Sequence, residues 1–142
     1  MRLEVTRRAE LAVRAIGELA AGESRIKAGD LATSLATTTG FVAHVLGPLV
    51  KAGWVRSDPG PAGGYRLREE ARGISVLDII EAVDGPTDDG RCVVEDRPCT
   101  PADRCVMHSA WQRARSELRA GLAAMPAASW DSQLTAPTEA PR

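Results

Sequence analysis

The chain has 142 residues, is 44% hydrophobic, and carries 18 Lys/Arg against 19 Asp/Glu for a formal net charge of −1. That is enough chain for one domain with a real core, or a small domain plus an appendage. The total charge argues neither for nor against a polyanionic partner, but residues 1–73 are net +3 and residues 74–142 net −4, a mildly basic front and an acidic back. No run is long and apolar enough to span a bilayer. "MRLEVTRRAE" has no apolar core behind a cleavage site. The expectation is a cytoplasmic protein with no membrane partner. Three cysteines in a reducing compartment do not read as a disulfide framework, and an odd number leaves one thiol unpaired.

From Thr6 to Ala21, Leu11, Ala12, Ala15, Ile16, Leu19 and Ala20 recur at helical spacing, with Arg7, Glu10, Arg14 and Glu18 on the other side. "IKAGDLATSLA" places Ala28, Leu31, Ala32 and Leu35 on one face of a short helix. Thr38 then caps a third helix whose buried stripe is Phe41, Val42, Val45, Leu46, Leu49 and Val50, and Gly53 stops it. Pro48 removes a backbone donor inside that helix and should kink or loosen its last turns. Two short helices separated by a few residues form a possible helix-turn-helix.

"WVRSDPGPAGGYRLR" alternates, turns through Asp58–Gly64 and resumes at Tyr65, which predicts a β-hairpin with a Gly/Pro tip. Three helices followed by a hairpin is the order of a winged helix. The alternative is an ordinary small α+β domain with a surface hairpin. "ISVLDIIEAVDG" predicts a helix capped by Ser75 with Val76, Ile79, Ile80 and Val83 inward. A loop runs from about Pro86 to Met107. It is followed by a helix, "HSAWQRARSELRAGLAAM", whose Trp111, Leu118, Leu122 and Met125 form a narrow seam suited to another helix. From Pro126 the chain is small, polar and Pro-rich, so residues 126–142 are expected to be a flexible tail.

The loop holds all three cysteines. Cys92, Cys99, Cys105 and His108 are separated by six, five and two residues, and Pro98 and Pro101 keep the loop irregular. Soft thiolates suit iron–sulfur clusters and zinc. Structural zinc favours ligand pairs two to four residues apart, and only Cys105 with His108 is that close. The order of preference is therefore cluster, then zinc, then free thiols with a direct thiol sensor as a variant. Catalysis has little to work with: there is no Ser/His/Asp arrangement, and "GPAGG" sits in a hairpin and does not open a helix. The chain is not read as an enzyme.

"LAVRAIGELA", "KAGWVRSDPGPAGGYRL", "ISVLDIIEAVDG" and three cysteines before a Trp-bearing helix together resemble the BadM/Rrf-type winged-helix transcriptional regulators, over residues 1 to about 125. The resemblance implies a mostly α fold with a β-hairpin wing and a long C-terminal dimerisation helix. It implies a homodimer that binds palindromic double-stranded DNA. It also implies an iron–sulfur cluster on the three cysteines that senses redox state, nitric oxide or cluster supply. The expected organisation is a winged helix-turn-helix over 1–73, then the cluster loop and dimerisation helix over 74–125. The function expected is that of a transcriptional regulator, as a repressor. The alternatives are a cluster-free thiol-based or zinc-stabilised regulator, or a metal–protein interaction module that binds no DNA.

On the DNA side the outward face of the third helix is Thr39, Gly40, Ala43, His44, Gly47 and Lys51, next to the cap Thr38. Small residues allow close approach to a groove, Thr and His can bond base edges or phosphates, and Lys51 can meet a phosphate. Arg56, Arg66 and Arg68 decorate the wing strands, while the wing tip lacks the basic residue often found in relatives. For assembly the expected contacts are Trp111, Leu118 and Leu122. For the fourth ligand His108 is favoured, because its proximity is local and some relatives use a histidine there. The rival is Glu10, where other relatives place a carboxylate that reaches the partner's cluster.

Overall fold

The computed structural model describes residues 3–130. The described residues form five helices: α1 (Arg7–Ala21), α2 (Ala28–Ser34), α3 (Thr39–Lys51), α4 (Val76–Asp84) and α5 (His108–Ala123). Two strands, β1 (Val55–Asp58) and β2 (Gly64–Leu67), pair antiparallel between α3 and α4. This is the winged-helix order that the sequence predicts.

Thr6 opens α1 by accepting the Ala9 N–H at 3.0 Å, satisfying a donor that a helix start leaves orphaned. α1 buries the predicted Leu11, Ala12, Ala15, Ile16 and Leu19, and also Ala9, Val13 and Gly17. The additional burial arises because α1 is central, with α3, α4, β2 and a C-terminal 3₁₀ turn all packed on it. The turn between α2 and α3 is made by Ala36 at φ 52, and the Thr37 N–H returns to the Ala32 carbonyl at 2.9 Å. Thr38 caps α3 by accepting the Phe41 N–H at 3.1 Å.

α3 continues through Pro48, the position where the sequence predicts a kink or loosening of the last turns. The helix runs on to Lys51, and the Ala52 N–H reaches the Pro48 carbonyl at 2.9 Å. Only the single donor owed to the turn before is lost. Buried Val45, Leu46 and Leu49 on either side hold the segment to the core.

The register of the wing is Val55↔Leu67, Arg56↔Arg66, Ser57↔Tyr65 and Asp58↔Gly64. Val55 and Leu67 face the core, which puts Arg56 and Arg66 outward by the period-two rule. Ile26 adds a short third rung through two backbone bonds to Tyr65, at 2.8 and 2.9 Å. Ser75 and Asp78 form a reciprocal capping box at the start of α4.

The structure bears on the expected boundaries. The helix α4 does not stand apart from the winged helix. Val76, Ile79 and Val83 join α1 and α3 in one continuous core. Nor is the chain a loose tail from Pro126. Ala127–Ser129 form a 3₁₀ turn, Ala127 is fully buried, and Trp130 packs against the core. The segment is tied by the Val76 N–H to the Met125 carbonyl at 2.9 Å and by the Ala127 N–H to the Ile74 carbonyl at 3.0 Å. The rest of that expected tail, 131–142, lies outside the described residues.

Candidate metal centre and nucleic-acid face

The segment between α4 and α5 has no regular element, as its prolines and glycines predict. It is held instead by backbone bonds at chosen points. The Cys92 N–H donates to the Arg97 carbonyl at 2.8 Å, the Cys99 N–H to the Gly90 carbonyl at 3.1 Å, and the His108 N–H to the Cys105 carbonyl at 3.1 Å. Arg97 is bonded to Glu95 and to Asp103, which closes the loop on itself. These bonds bring the three cysteines together: their Sγ atoms all lie within 4.8 Å of one another. Thiols 13 residues apart in sequence thus converge on one point, half-buried and outside the hydrophobic core.

The thiols are electrostatically unequal. Backbone N–H groups of Val94 and Glu95 bring Cys92 down to about 7, and the Val94 N–H lies 3.5 Å from its sulfur. Burial and the adjacent Cys92 push Cys99 upward. Beside the sulfurs is a cavity of about 50 Å³ lined by Gly90, Arg91, Val93, Cys99, Cys105, His108, Trp111, Gln112 and Arg115. His108 therefore stands in the wall of the same pocket, although the 4.8 Å set is the three sulfurs alone. Glu10 is elsewhere on its own subunit, bonded to Arg7 at 2.5 Å and Arg14 at 3.3 Å. Three convergent soft donors fit an iron–sulfur cluster, and Cys92, Cys99 and Cys105 are the residues that would hold it.

Sequence reasoning missed how the pocket is walled. The inner stripe of α5 is His108, Trp111, Gln112, Arg115, Arg119 and Leu122, all half-buried. At about 100° per residue this stripe is rotated toward the polar side of the predicted seam. Trp111 is taken by the cysteine pocket and Leu122 by the core, while Leu118 and Met125 remain 47% and 40% exposed. The one available signal was the i, i+4 spacing of Trp111 and Arg115. Their partners in the loop lie too far away in sequence for any periodicity to reveal.

On the opposite part of the chain, Thr38, Thr39, Gly40, Ala43, His44, Gly47 and Lys51 are all exposed. A Cβ built on Gly40 or Gly47 would meet nothing within 4 Å, so this face of α3 is open. Phe41 lies under His44, with ring centroids 5.8 Å apart. Arg56 and Arg66 are exposed and directly opposite each other on the wing. Arg56 is drawn to Asp58 at 3.1 Å. Arg25 steadies the tip by donating to the Ala62 carbonyl at 3.0 Å.

A helix-turn-helix with an open second helix, a hairpin wing and a thiol loop define a winged-helix transcriptional regulator with a metal-competent accessory segment. The family description "Rrf2: Iron-dependent Transcriptional regulator" matches residues 5–126. The chain belongs to the Rrf2 family, and its relatives are regulators, not enzymes. It is 30% identical over 118 residues to the HTH-type transcriptional regulator IscR of Vibrio atlanticus (strain LGP32), covering 82% of this chain and 68% of that protein. A second IscR, from Xenorhabdus nematophila, is 30% identical over 112 residues, 78% of this chain and 68% of its own. Among solved structures, CymR of Staphylococcus aureus superposes with a TM-score of 0.69 at 27% identity, over 88% of this chain and 95% of that one. The T. potens IscR superposes with a TM-score of 0.71 at 24% identity, over 99% and 94%. No described helix is long and apolar enough to cross a membrane.

Proposed function

We propose that the chain is a cytoplasmic homodimeric repressor whose affinity for a palindromic operator is set by an iron–sulfur cluster. The observation that carries this reading is the convergence of three sulfurs within 4.8 Å in a loop appended to a winged helix. When bound, the cluster would supply a redox-sensitive centre whose loss or change of charge alters the loop. The protein's own part is to gather Cys92, Cys99 and Cys105, to wall them with Trp111 and His108, and to present α3 to the major groove. His108 is the fourth ligand in this reading, since it lines the thiol pocket. Glu10 is already engaged by two arginines and would have to leave them to serve a partner's cluster.

The DNA contacts in this reading are Thr38, Thr39, Gly40, His44 and Lys51 from the helix, and Arg56 and Arg66 from the wing. Arg56 and Arg66 are cross-strand partners on the exposed face of the wing, and like charges on such a pair favour a phosphate between them.

Anaerobic purification followed by visible spectroscopy and iron and sulfide analysis tests the centre. A brown protein is expected, and Cys99→Ala should lose the colour. Stoichiometric zinc without sulfide would replace the cluster reading with a zinc-stabilised regulator. His108→Ala should shift the spectrum and Glu10→Ala should not; the reverse pattern assigns the fourth position to Glu10.

A further inference from the structure

The loop that carries the cysteines is fastened mostly to itself. Its ion pairs Arg91–Asp96, Arg97–Glu95 and Arg97–Asp103 span six residues or fewer, and the acidic partner of each is more than half exposed. One pair is different. Arg115 of α5 donates from Nη1 to Asp88 Oδ1 at 2.6 Å, with the two side chains only 15% and 28% exposed. Among the described residues it is the one side-chain ion pair that joins the loop to a helix.

The connection continues inward. The same Asp88 oxygen accepts the Gly90 N–H at 3.1 Å, and the Gly90 carbonyl accepts the Cys99 N–H at 3.1 Å. A continuous path of three bonds therefore runs from the Arg115 guanidinium to the backbone of Cys99. Cys92 is reached by no such path; its N–H goes to Arg97, inside the loop. One residue before Asp88, the Thr87 N–H is held by Glu81 of α4 at 2.9 Å, so the arm leading into the loop is fastened to two helices in succession.

We infer that Arg115 is the positioning residue of the thiol centre: through Asp88 and Gly90 it sets the place of Cys99 and ties the centre to α5. This rests on the cluster reading for its metal readout, though not for its thiol readout. A guanidinium makes a directional fork that an ammonium does not, so Lys at this position should keep the charge and lose part of the alignment.

The test uses the full chain in two states. In the anaerobically reconstituted protein, Arg115→Ala should lose its visible absorbance to a chelator faster than wild type. The expected factor is roughly 10 to 100, the usual effect of removing a group that orients a metal ligand. Arg115→Lys and Asp88→Asn should be intermediate, and the exchange Arg115→Asp with Asp88→Arg should recover part of the loss. In the metal-free protein, alkylation followed by mass spectrometry should show Cys99 labelled several-fold faster in Arg115→Ala, with a clearly smaller change at Cys92. A merely structural role would accelerate all three thiols together. Equal Cys99 labelling in wild type, Arg115→Ala and Arg115→Lys would overturn the inference. A wild-type chain that takes up no iron and sulfide would overturn the cluster reading and leave Cys99 labelling to decide Arg115.

Discussion

At the scale of single residues, the fold depends on places where a side chain would not fit. Gly64 has φ +142, and a Cβ there would lie 2.4 Å from the Ile26 carbonyl oxygen. That contact is the rung that adds Ile26 to the wing, so the wing's attachment needs a glycine at this position. Gly64→Ala should cost about 1–3 kcal/mol in urea unfolding and weaken operator binding by displacing the wing; unchanged unfolding would mean that the rung is dispensable. The cysteines make a second prediction at this scale. In the metal-free chain Cys92 is brought to about 7 and Cys99 is pushed up. The thiolate is the reactive form, so the alkylation rate of Cys92 should rise as pH increases through about 7. Cys99 should rise only at higher pH. A common pH profile for the two would contradict this asymmetry.

At the scale of elements, much was legible because burial leaves a period. The stripes of α1, α3 and α4 repeat at 3.6 residues and the wing strands at two, and Thr38 and Ser75 mark the helix starts that the structure confirms. What the pattern could not carry is burial by small residues and contact by charged ones. Ala127 is fully buried, but an alanine in "PAASW" has the same composition in a core as in a tail. Arg115 and Asp88 meet across 27 residues of chain with no period between them. In the candidate site, the donor set was readable because cysteines are rare here, while its walls were not. The docked C-terminal turn makes a prediction. Ending the chain at Ala124 removes the backbone bonds at Met125 and Ala127, the burial of Ala127 and the packing of Trp130. Each bond is worth about 1 kcal/mol and the apolar contacts add to that, so the truncated chain should lose about 2–5 kcal/mol in urea unfolding. A truncation confined to 131–142 keeps all of these contacts and is the matched control. Equal stability of the two truncated chains would make the turn an appendage.

At the scale of the whole molecule, the informative feature is a helix with no fully buried residue. α5 has 16 residues, about 24 Å of helix at 1.5 Å per residue, and none of them is buried in its own subunit. Two of the six residues of its inner stripe are arginines, and Leu118 and Met125 stand exposed at the edge of that stripe. A second copy related by a two-fold axis would cover them and would set two α3 helices one DNA turn apart, or a multiple of ~34 Å. Leu118 contributes nothing to the monomer core, so Leu118→Asp should leave urea unfolding of the winged helix unchanged while ultracentrifugation reports monomer. If assembly supplies the operator affinity, the monomer should bind a full palindrome no more tightly than a half-site. Lys51→Ala should act differently. A lost phosphate contact weakens every sequence alike and makes the salt dependence shallower by about one unit, with the dimer intact. A Leu118→Asp chain that remains dimeric would remove α5 from the interface, and a Lys51→Ala chain with an unchanged salt slope would remove the end of α3 from the phosphate backbone.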